Sequence, residues 1–211
     1  MNIVSPQIII EDMADGEEML KRIEKAGRTC YKSEDKIAVD SAKEFVRFII
    51  QHGHETVLEH EKATVRLICD RGVSHEIVRH RIASYSQEST RYCNYSKDKF
   101  GSEISVIDVC FWKSESDRDK QKYEIWKKAM EEAEKAYLKL LELGATPQEA
   151  RSVLPNSLKT EIVMTMNLRE WRHFFKLRTS ASGHPQMIEI ARPLLDEFKR
   201  RIPVIFDDIT Y

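Results

Sequence analysis

Three arginines, a histidine, several hydroxyls and two tyrosines fall within the fourteen residues from Arg79 to Tyr92. Guanidinium groups grip planar oxyanions through two parallel hydrogen bonds, and hydroxyls with loop amides add further donors. Such a segment is suited to holding a phosphate or other anion beside a planar ring. Between Ala63 and Ser96 every basic side chain other than histidine is arginine, namely Arg66, Arg71, Arg79, Arg81 and Arg91, although lysine is plentiful elsewhere. That local choice favours specific anion contacts over mere solubility. The competing explanation is that Arg79 and Arg81 only pair with Glu76 or other acidic neighbours on a solvated face. His80 stands between two guanidinium groups, which disfavour a further positive charge, so its expected role is hydrogen bonding as a neutral ring.

Two further clusters carry titratable groups. His52, His54, Glu55, Glu59 and His60 crowd one polar turn. They match neither H-E-x-x-H nor its inverse, which would need histidine where Thr56 stands, so no metal is assigned there. A satisfied structural turn and a set of cofactor contacts both remain open. The second cluster is Asn167, Arg169, His173, Arg178 and His184, with Asn167 and Arg169 at a strand-to-helix junction where free amide groups attract anions.

The elements that must position these groups are read from periodicity. Ile8-Ile9-Ile10 is a short buried strand, and Ala63 to Cys69 and Thr160 to Met166 are further strands. Glu17 to Ala26 is helical through Met19, Leu20 and Ile23, with Gly27 as its stop. Ser41 to Gln51 is a helix with Phe45, Phe48 and Ile49 on its apolar face. Ser74 has the chemistry of an N-cap, which places Arg79, His80 and Arg81 on one helix, Arg79 and Arg81 about 200° apart, followed by an irregular segment after Ile82. Glu103 to Val109 is a strand. Asp117 to Leu143 is a long charged helix, with Ala129, Ala133, Ala136, Tyr137 and Leu140 on one side and Gly144 closing it. Thr146-Pro147-Gln148-Glu149 starts a short helix, Leu168 to Leu177 a longer one, and Pro185 to about Arg200 the last, before a tail from Pro203 to Tyr211. The expected fold is α+β, a central and mostly antiparallel sheet flanked by helices, in a single domain spanning residues 1–211.

Composition limits the partners. The 34 Lys and Arg against 35 Asp and Glu leave a net charge of -1, with no overall basic footprint for sequence-independent nucleic-acid binding. No apolar run approaches the roughly 20 residues of a membrane span, and the first residues lack a secretory pattern, so a cytoplasmic chain is expected. Cys30, Cys69, Cys93 and Cys110 are irregularly spaced and fit reduced thiols better than a disulfide framework or zinc ribbon.

Arg79-His80-Arg81, then seven residues, then Ser89 and Arg91-Tyr92, resembles the signature of the flavin-dependent thymidylate synthases. Four other segments match that family in order: Arg28-Thr29-Cys30-Tyr31; His52-Gly53-His54-Glu55-Thr56 with Glu59-His60; Arg151 with Leu154-Pro155; and Asn167-x-Arg169 followed by Arg178. The resemblance implies an α/β-fold homotetramer whose active sites are assembled from several subunits. It implies reductive methylation of dUMP to dTMP, with methylenetetrahydrofolate as carbon donor and NADPH or NADH as reductant through bound FAD. By motif position, His54, Arg79, His80, Arg81, Asn167, Arg169 and His173 would contact FAD. Arg79, Gln87, Glu88, Ser89, Thr90, Arg91, Arg151 and Arg178 would contact dUMP. Arg178 and Ser89 are the expected catalytic residues, Arg178 stabilising charge at the uracil carbonyl and Ser89 acting as a phosphate or base ligand. No cysteine sits in the Pro-Cys pair of the unrelated, thiolate-using class of thymidylate synthase. A flavin-using tRNA uracil methylase shares the substrate logic, but the balanced charge disfavours it. A nucleotide-binding protein without catalysis is the third reading, distinguished by dUMP binding without product.

Overall fold

A computed structural model describes residues 1–97 and 100–211. The strands are β1 (Asn2–Val4), β2 (Gln7–Met13), β3 (Lys62–Asp70), β4 (Ala83–Gln87), β5 (Ser105–Ile107) and β6 (Lys159–Asn167). The helices are α1 (Gly16–Arg28), α2 (Ser41–Gln51), α3 (Arg71–Ile77), α4 (Asp117–Glu142), α5 (Pro147–Ala150), α6 (Leu168–Arg178), α7 (Pro185–Arg201) and α8 (Pro203–Phe206). Helix and sheet are mixed, with an antiparallel sheet flanked by helices. Strict alternation builds that sheet. β3 buries Ala63, Val65, Leu67 and Cys69, and β6 buries Thr160, Ile162, Met164 and Met166, every second residue of each. The strand order is β2-β3-β6-β4, while β1 pairs in parallel with β5, Ile3 opposite Val106.

Contacts divide the chain into two compact units. One comprises Met1–Gln7, Leu67–Arg79 and Ser86–Ile162; the other comprises Ile8–Arg66, His80–Tyr85 and Val163–Tyr211. The core of the first unit gathers Ile104, Val106 and Val109 with Trp126, Met130 and Tyr137 of α4. Periodicity places α4 correctly and puts Tyr137 and Leu140 on its packed side, but two of the alanines expected beside them face outward. Ala129 and Ala136 are exposed, because the larger side chains of Trp126, Met130 and Tyr137 remove more apolar surface from water. Ser116 caps α4 by accepting the Asp119 amide at 3.2 Å, and Gly144, at φ +91°, follows its end.

In the second unit α1 begins at the Asp15 cap and buries Met19, Leu20 and Ile23, as expected. Gly27 is not its stop but lies inside it. A Cβ at Gly27 would sit 2.7 Å from the Phe45 ring, so glycine permits the close approach of α1 to α2. The buried face of α2 is Ala42, Val46 and Ile49, and Phe48 is 52% exposed rather than core. Trp171, Phe174 and Phe175 of α6 pack with Phe198 of α7 and Phe206 of α8, neighbouring ring centroids lying 4.9–5.7 Å apart. The tail from Pro203 is therefore no loose end.

Arg172 is 1% exposed among these rings. It donates two hydrogen bonds of 2.7 Å to the Asp208 carboxylate, another at 3.1 Å to Glu55, and one to the Ile205 carbonyl. The hydrogen bonds from Arg172 hold the Asp208 pKa below its ordinary value against partial burial. A carboxylate held low contributes stability above the ordinary Asp range and loses it as pH falls through the depressed folded value. Asp208→Ala is expected to cost about 1–2 kcal/mol at neutral pH, discounted because Asp208 is half exposed. Urea unfolding of both proteins checks this, and the difference should shrink in acid below the ordinary Asp range.

The segment of greatest chemical interest departs from expectation. Asp70, not Ser74, caps α3, accepting the Val73 amide at 2.6 Å, so the helix starts a turn earlier and ends at Ile77. Arg79, His80 and Arg81 therefore lie in the turn after α3, not on it. Residues 83–87, expected to be irregular, form β4 with alternate residues half buried.

Candidate active site

Within the second unit the turn residue His80 is 4% exposed. Its Nδ1 lies 3.0 Å from Glu170 Oε1, and its Nε2 accepts a 3.1 Å hydrogen bond from Arg178 Nε. An arginine Nε always carries hydrogen, so Nε2 must be the lone-pair nitrogen and Nδ1 carries the proton of the neutral ring. Burial lowers the His80 pKa first. The Glu170 hydrogen bond opposes that, while the charges of Arg178 and His173 add to it. The ring is thus neutral, as its sequence neighbours imply, but through burial and Arg178 rather than through Arg79 and Arg81. His173 meets it edge-on at 5.6 Å, Phe174 at 5.0 Å, and the Tyr85 hydroxyl donates to the His80 carbonyl at 2.6 Å. Burial and the nearby Glu170 charge push Tyr85 up to about 12, which keeps that hydroxyl a donor.

α6 organises this cluster. Asn167 is its N-cap, accepting the Glu170 amide at 2.8 Å, and Arg178 is its last residue, where a cation suits the helix dipole. A cavity of about 450 Å³ opens beside the helix start, lined by Asn167, Arg169, Glu170, His173 and Lys176, with Glu55 and Glu59 also on its wall. Arg169 donates to Glu59 at 2.6 Å. A second cavity in this unit, about 740 Å³, is lined by His54, Thr56, Arg28 and Lys36 together with Phe45 and Phe48. The carboxylate of Glu24, 1% exposed, anchors Arg28 at 2.8 Å and accepts from Ser41 Oγ. Apolar rings beside cationic and hydroxyl groups suit a ligand with a planar ring and anionic substituents.

In the first unit the loop after β4 presents the second group. Ser89 Oγ accepts the Arg91 amide at 3.3 Å, and its carbonyl accepts the Tyr92 and Cys93 amides. The buried Thr90 accepts from Arg151 at 3.3 Å. Arg91 donates to Gln148 at 2.9 Å, with its guanidinium 5.3 Å from the Tyr92 ring centre. Glu88 accepts from the Tyr95 hydroxyl at 2.8 Å and from Lys159 at 3.2 Å, and Lys159 also reaches Glu161. Gln87 donates to Ser74 and Thr160. The side chains of Gln87 and Glu88 thus brace the loop internally, while Ser89, Thr90, Arg91 and Arg151 make a cradle of hydroxyls and guanidinium groups.

The two sequence-derived sets divide between the units with two exceptions: Arg79, expected at FAD as well as dUMP, falls in the first, and Arg178, expected at dUMP, falls in the second. His54, His80, Arg81, Asn167, Arg169, His173 and Arg178 belong to the second unit, but His54 lines a different cavity from Asn167, Arg169 and His173. Arg79, Gln87, Glu88, Ser89, Thr90, Arg91 and Arg151 belong to the first. Among the described residues, His80, Glu170 and His173 have ligand atoms within 4.8 Å of one another, yet both His80 nitrogens already have hydrogen-bond partners. Glu170, Tyr85, Lys159 and Gln148 were not singled out by sequence. Glu170 was visible only as the last member of Asn-x-x-Glu, which reads as a helix cap.

Residues 9–204 match the family described as thymidylate synthase complementing protein. The chain is 39% identical over 171 residues to a flavin-dependent thymidylate synthase of Pyrococcus abyssi, covering 81% of this chain and 68% of that one. It is 35% identical over 190 residues to a protein of the same name from Geobacter sulfurreducens, covering 87% and 78%. The fold resembles the crystal structure of a UMP/dUMP methylase, PolB from Streptomyces cacaoi, bound with 5-Br dUMP. There the TM-score is 0.80 at 24% identity, over 98% of this chain and 96% of that one.

Proposed function

The chain belongs to the family of flavin-dependent thymidylate synthases, and from that premise we propose that it converts dUMP to dTMP by reductive methylation. Methylenetetrahydrofolate provides the carbon and NADPH or NADH the reducing equivalents. The observation that carries this reading is the family match along residues 9–204, which contain every site residue discussed above.

The residues present fit FAD. The 740 Å³ cavity pairs the Phe45 and Phe48 rings with Arg28, Lys36, His54 and Thr56, a donor set suited to an isoalloxazine or adenine ring and a pyrophosphate. Asn167, Arg169 and His173, beside the N-terminus of α6, and Arg79 and Arg81 in their turn are further contacts. His80, which the resemblance adds, has both ring nitrogens engaged within the protein and would support its neighbours rather than donate to the flavin. When bound, the flavin supplies hydride chemistry between the nicotinamide and the transferred one-carbon unit.

The chain's own part is binding and electrostatics. Ser89, Thr90, Arg91 and Arg151 hold the dUMP phosphate, and the internal bonds of Gln87 and Glu88 fix the backbone that presents them. Arg178 stabilises negative charge as it develops on the uracil carbonyl, with Ser89 as a further ligand. No cysteine acts as nucleophile in this scheme. Cys69 is buried, and burial pushes its thiol up to about 12, far from a reactive thiolate.

We read residues 1–211 as one functional domain in a homotetramer whose active sites are shared between subunits. Ile82 and Tyr92, which flank β4 and the phosphate loop, are 67% and 77% exposed and offer apolar surface for such association. Among the described residues no helix is long and apolar enough to cross a membrane, in keeping with the expected cytoplasmic setting. Flavin binding tests the reading first. Purified protein should carry a yellow FAD spectrum that NADPH bleaches, whereas colourless protein that takes up no FAD on titration would contradict it.

A further inference from the structure

Glu170 occupies the third position of α6, with Asn167 as the N-cap. At that position a glutamate ordinarily turns back to the N-cap amide, completing a capping box. α5 does this, with the Glu149 carboxylate accepting from the Thr146 amide at 2.7 Å and Thr146 Oγ1 accepting the Glu149 amide. α6 keeps only the Asn167 half of the arrangement, and the Glu170 side chain reaches His80 instead. Eight residues along the same helix, about 12 Å at 1.5 Å per residue, Arg178 meets the opposite edge of the same imidazole.

We infer that Glu170 is a positioning residue for Arg178, acting by selecting the tautomer of His80. A free neutral histidine favours the proton on Nε2. Nε2–H would set a donor against the Arg178 Nε–H, two hydrogens facing one another across 3.1 Å. By accepting from Nδ1, Glu170 holds the proton on that nitrogen and leaves the Nε2 lone pair for Arg178. The ring cannot escape by turning, because Phe174 and His173 pack on it and His80 is 4% exposed. The guanidinium plane of Arg178 is thereby set from its inner edge. The catalytic consequence rests on the reading of Arg178 given above, whereas the tautomer does not.

Nitrogen-15 NMR of the full-length protein labelled at histidine tests the tautomer directly. His80, assigned by its absence in His80→Gln, should show a protonated Nδ1 and an unprotonated Nε2. An Nε2–H ring in the wild-type protein would overturn the inference whatever the enzyme does. Kinetics test the consequence. Glu170→Ala should lower kcat about tenfold or more with little change in the KM for dUMP, and Glu170→Gln, whose amide oxygen can still accept from Nδ1, should recover most of the loss. Wild-type kcat in Glu170→Ala, or equal impairment of both variants, would overturn it. If Arg178→Ala itself kept full activity, the role of Arg178 would fall, while the same NMR measurement on Glu170→Ala would still decide the role of Glu170: a shift of the proton toward Nε2 is expected, and an unchanged tautomer would overturn it.

Discussion

Arg178→Ala protein is expected to bind FAD and dUMP nearly as wild type does and to lose about 10²–10³-fold in kcat. That is the usual cost of removing one preorganised donor from a site of developing negative charge. The expectation follows from how the side chain is held. Its Nε is fixed on His80 Nε2, and His80 is fixed by Glu170 and by packing, so the guanidinium needs no reorganisation as charge develops. Steady-state kinetics with separate flavin and dUMP titrations distinguish this from a binding defect. A raised KM with unchanged kcat would make Arg178 a mere substrate contact.

Arg91→Ala is expected to weaken dUMP binding by roughly ten- to hundredfold, the loss of a charge-assisted phosphate contact worth about 1.5–3 kcal/mol. Arg91 belongs to the loop that holds Ser89 and Thr90, in a different unit from every residue assigned to FAD except Arg79. Flavin affinity should therefore change less than twofold, roughly the scatter expected where no direct contact is lost. Equal loss of both ligands would contradict the assignment. Mixed tetramers re-formed from Arg91→Ala and Arg178→Ala chains should regain activity if the two arginines of one site come from different subunits. Full subunit exchange without recovery would place both in one chain.

The sheet was legible because its strands obey a simple period. β3 and β6 alternate so strictly that their inward faces can be read by eye, and α6 and α7 announce themselves by apolar spacing. What failed is instructive. Ser74 and Asp70 both have cap chemistry, and local sequence does not choose between them; the 2.6 Å bond from Val73 N to Asp70 does. That choice shifted α3 and moved Arg79, His80 and Arg81 from a helix face into a turn. β4 was missed because Ser84 and Ser86 are small and polar, so the alternation of Ala83, Tyr85 and Gln87 toward the protein left no hydrophobic signal.

The site shows the same division. Residue type drew attention to Ser89, Thr90 and Arg91, and the structure sets them in one loop, with Arg151 donating to Thr90. Pairing across ninety residues was another matter. His80 meets Glu170 and Arg178 only through tertiary structure, and Glu170 had an adequate local explanation as part of a cap. Gln87 and Glu88, expected beside dUMP, also brace the loop through Ser74, Thr160, Tyr95 and Lys159, partners that no local pattern shows.

The most direct test of the account is release of tritium from the uracil C5 of labelled dUMP, measured with dTMP formation in the same reaction. Both should appear together, should require FAD, NADPH or NADH, and methylenetetrahydrofolate, and should persist when all four cysteines are replaced by serine in protein that still binds flavin. A flavin-loaded wild-type protein that binds dUMP and is reduced by NADPH, yet releases no tritium and forms no dTMP, would contradict it.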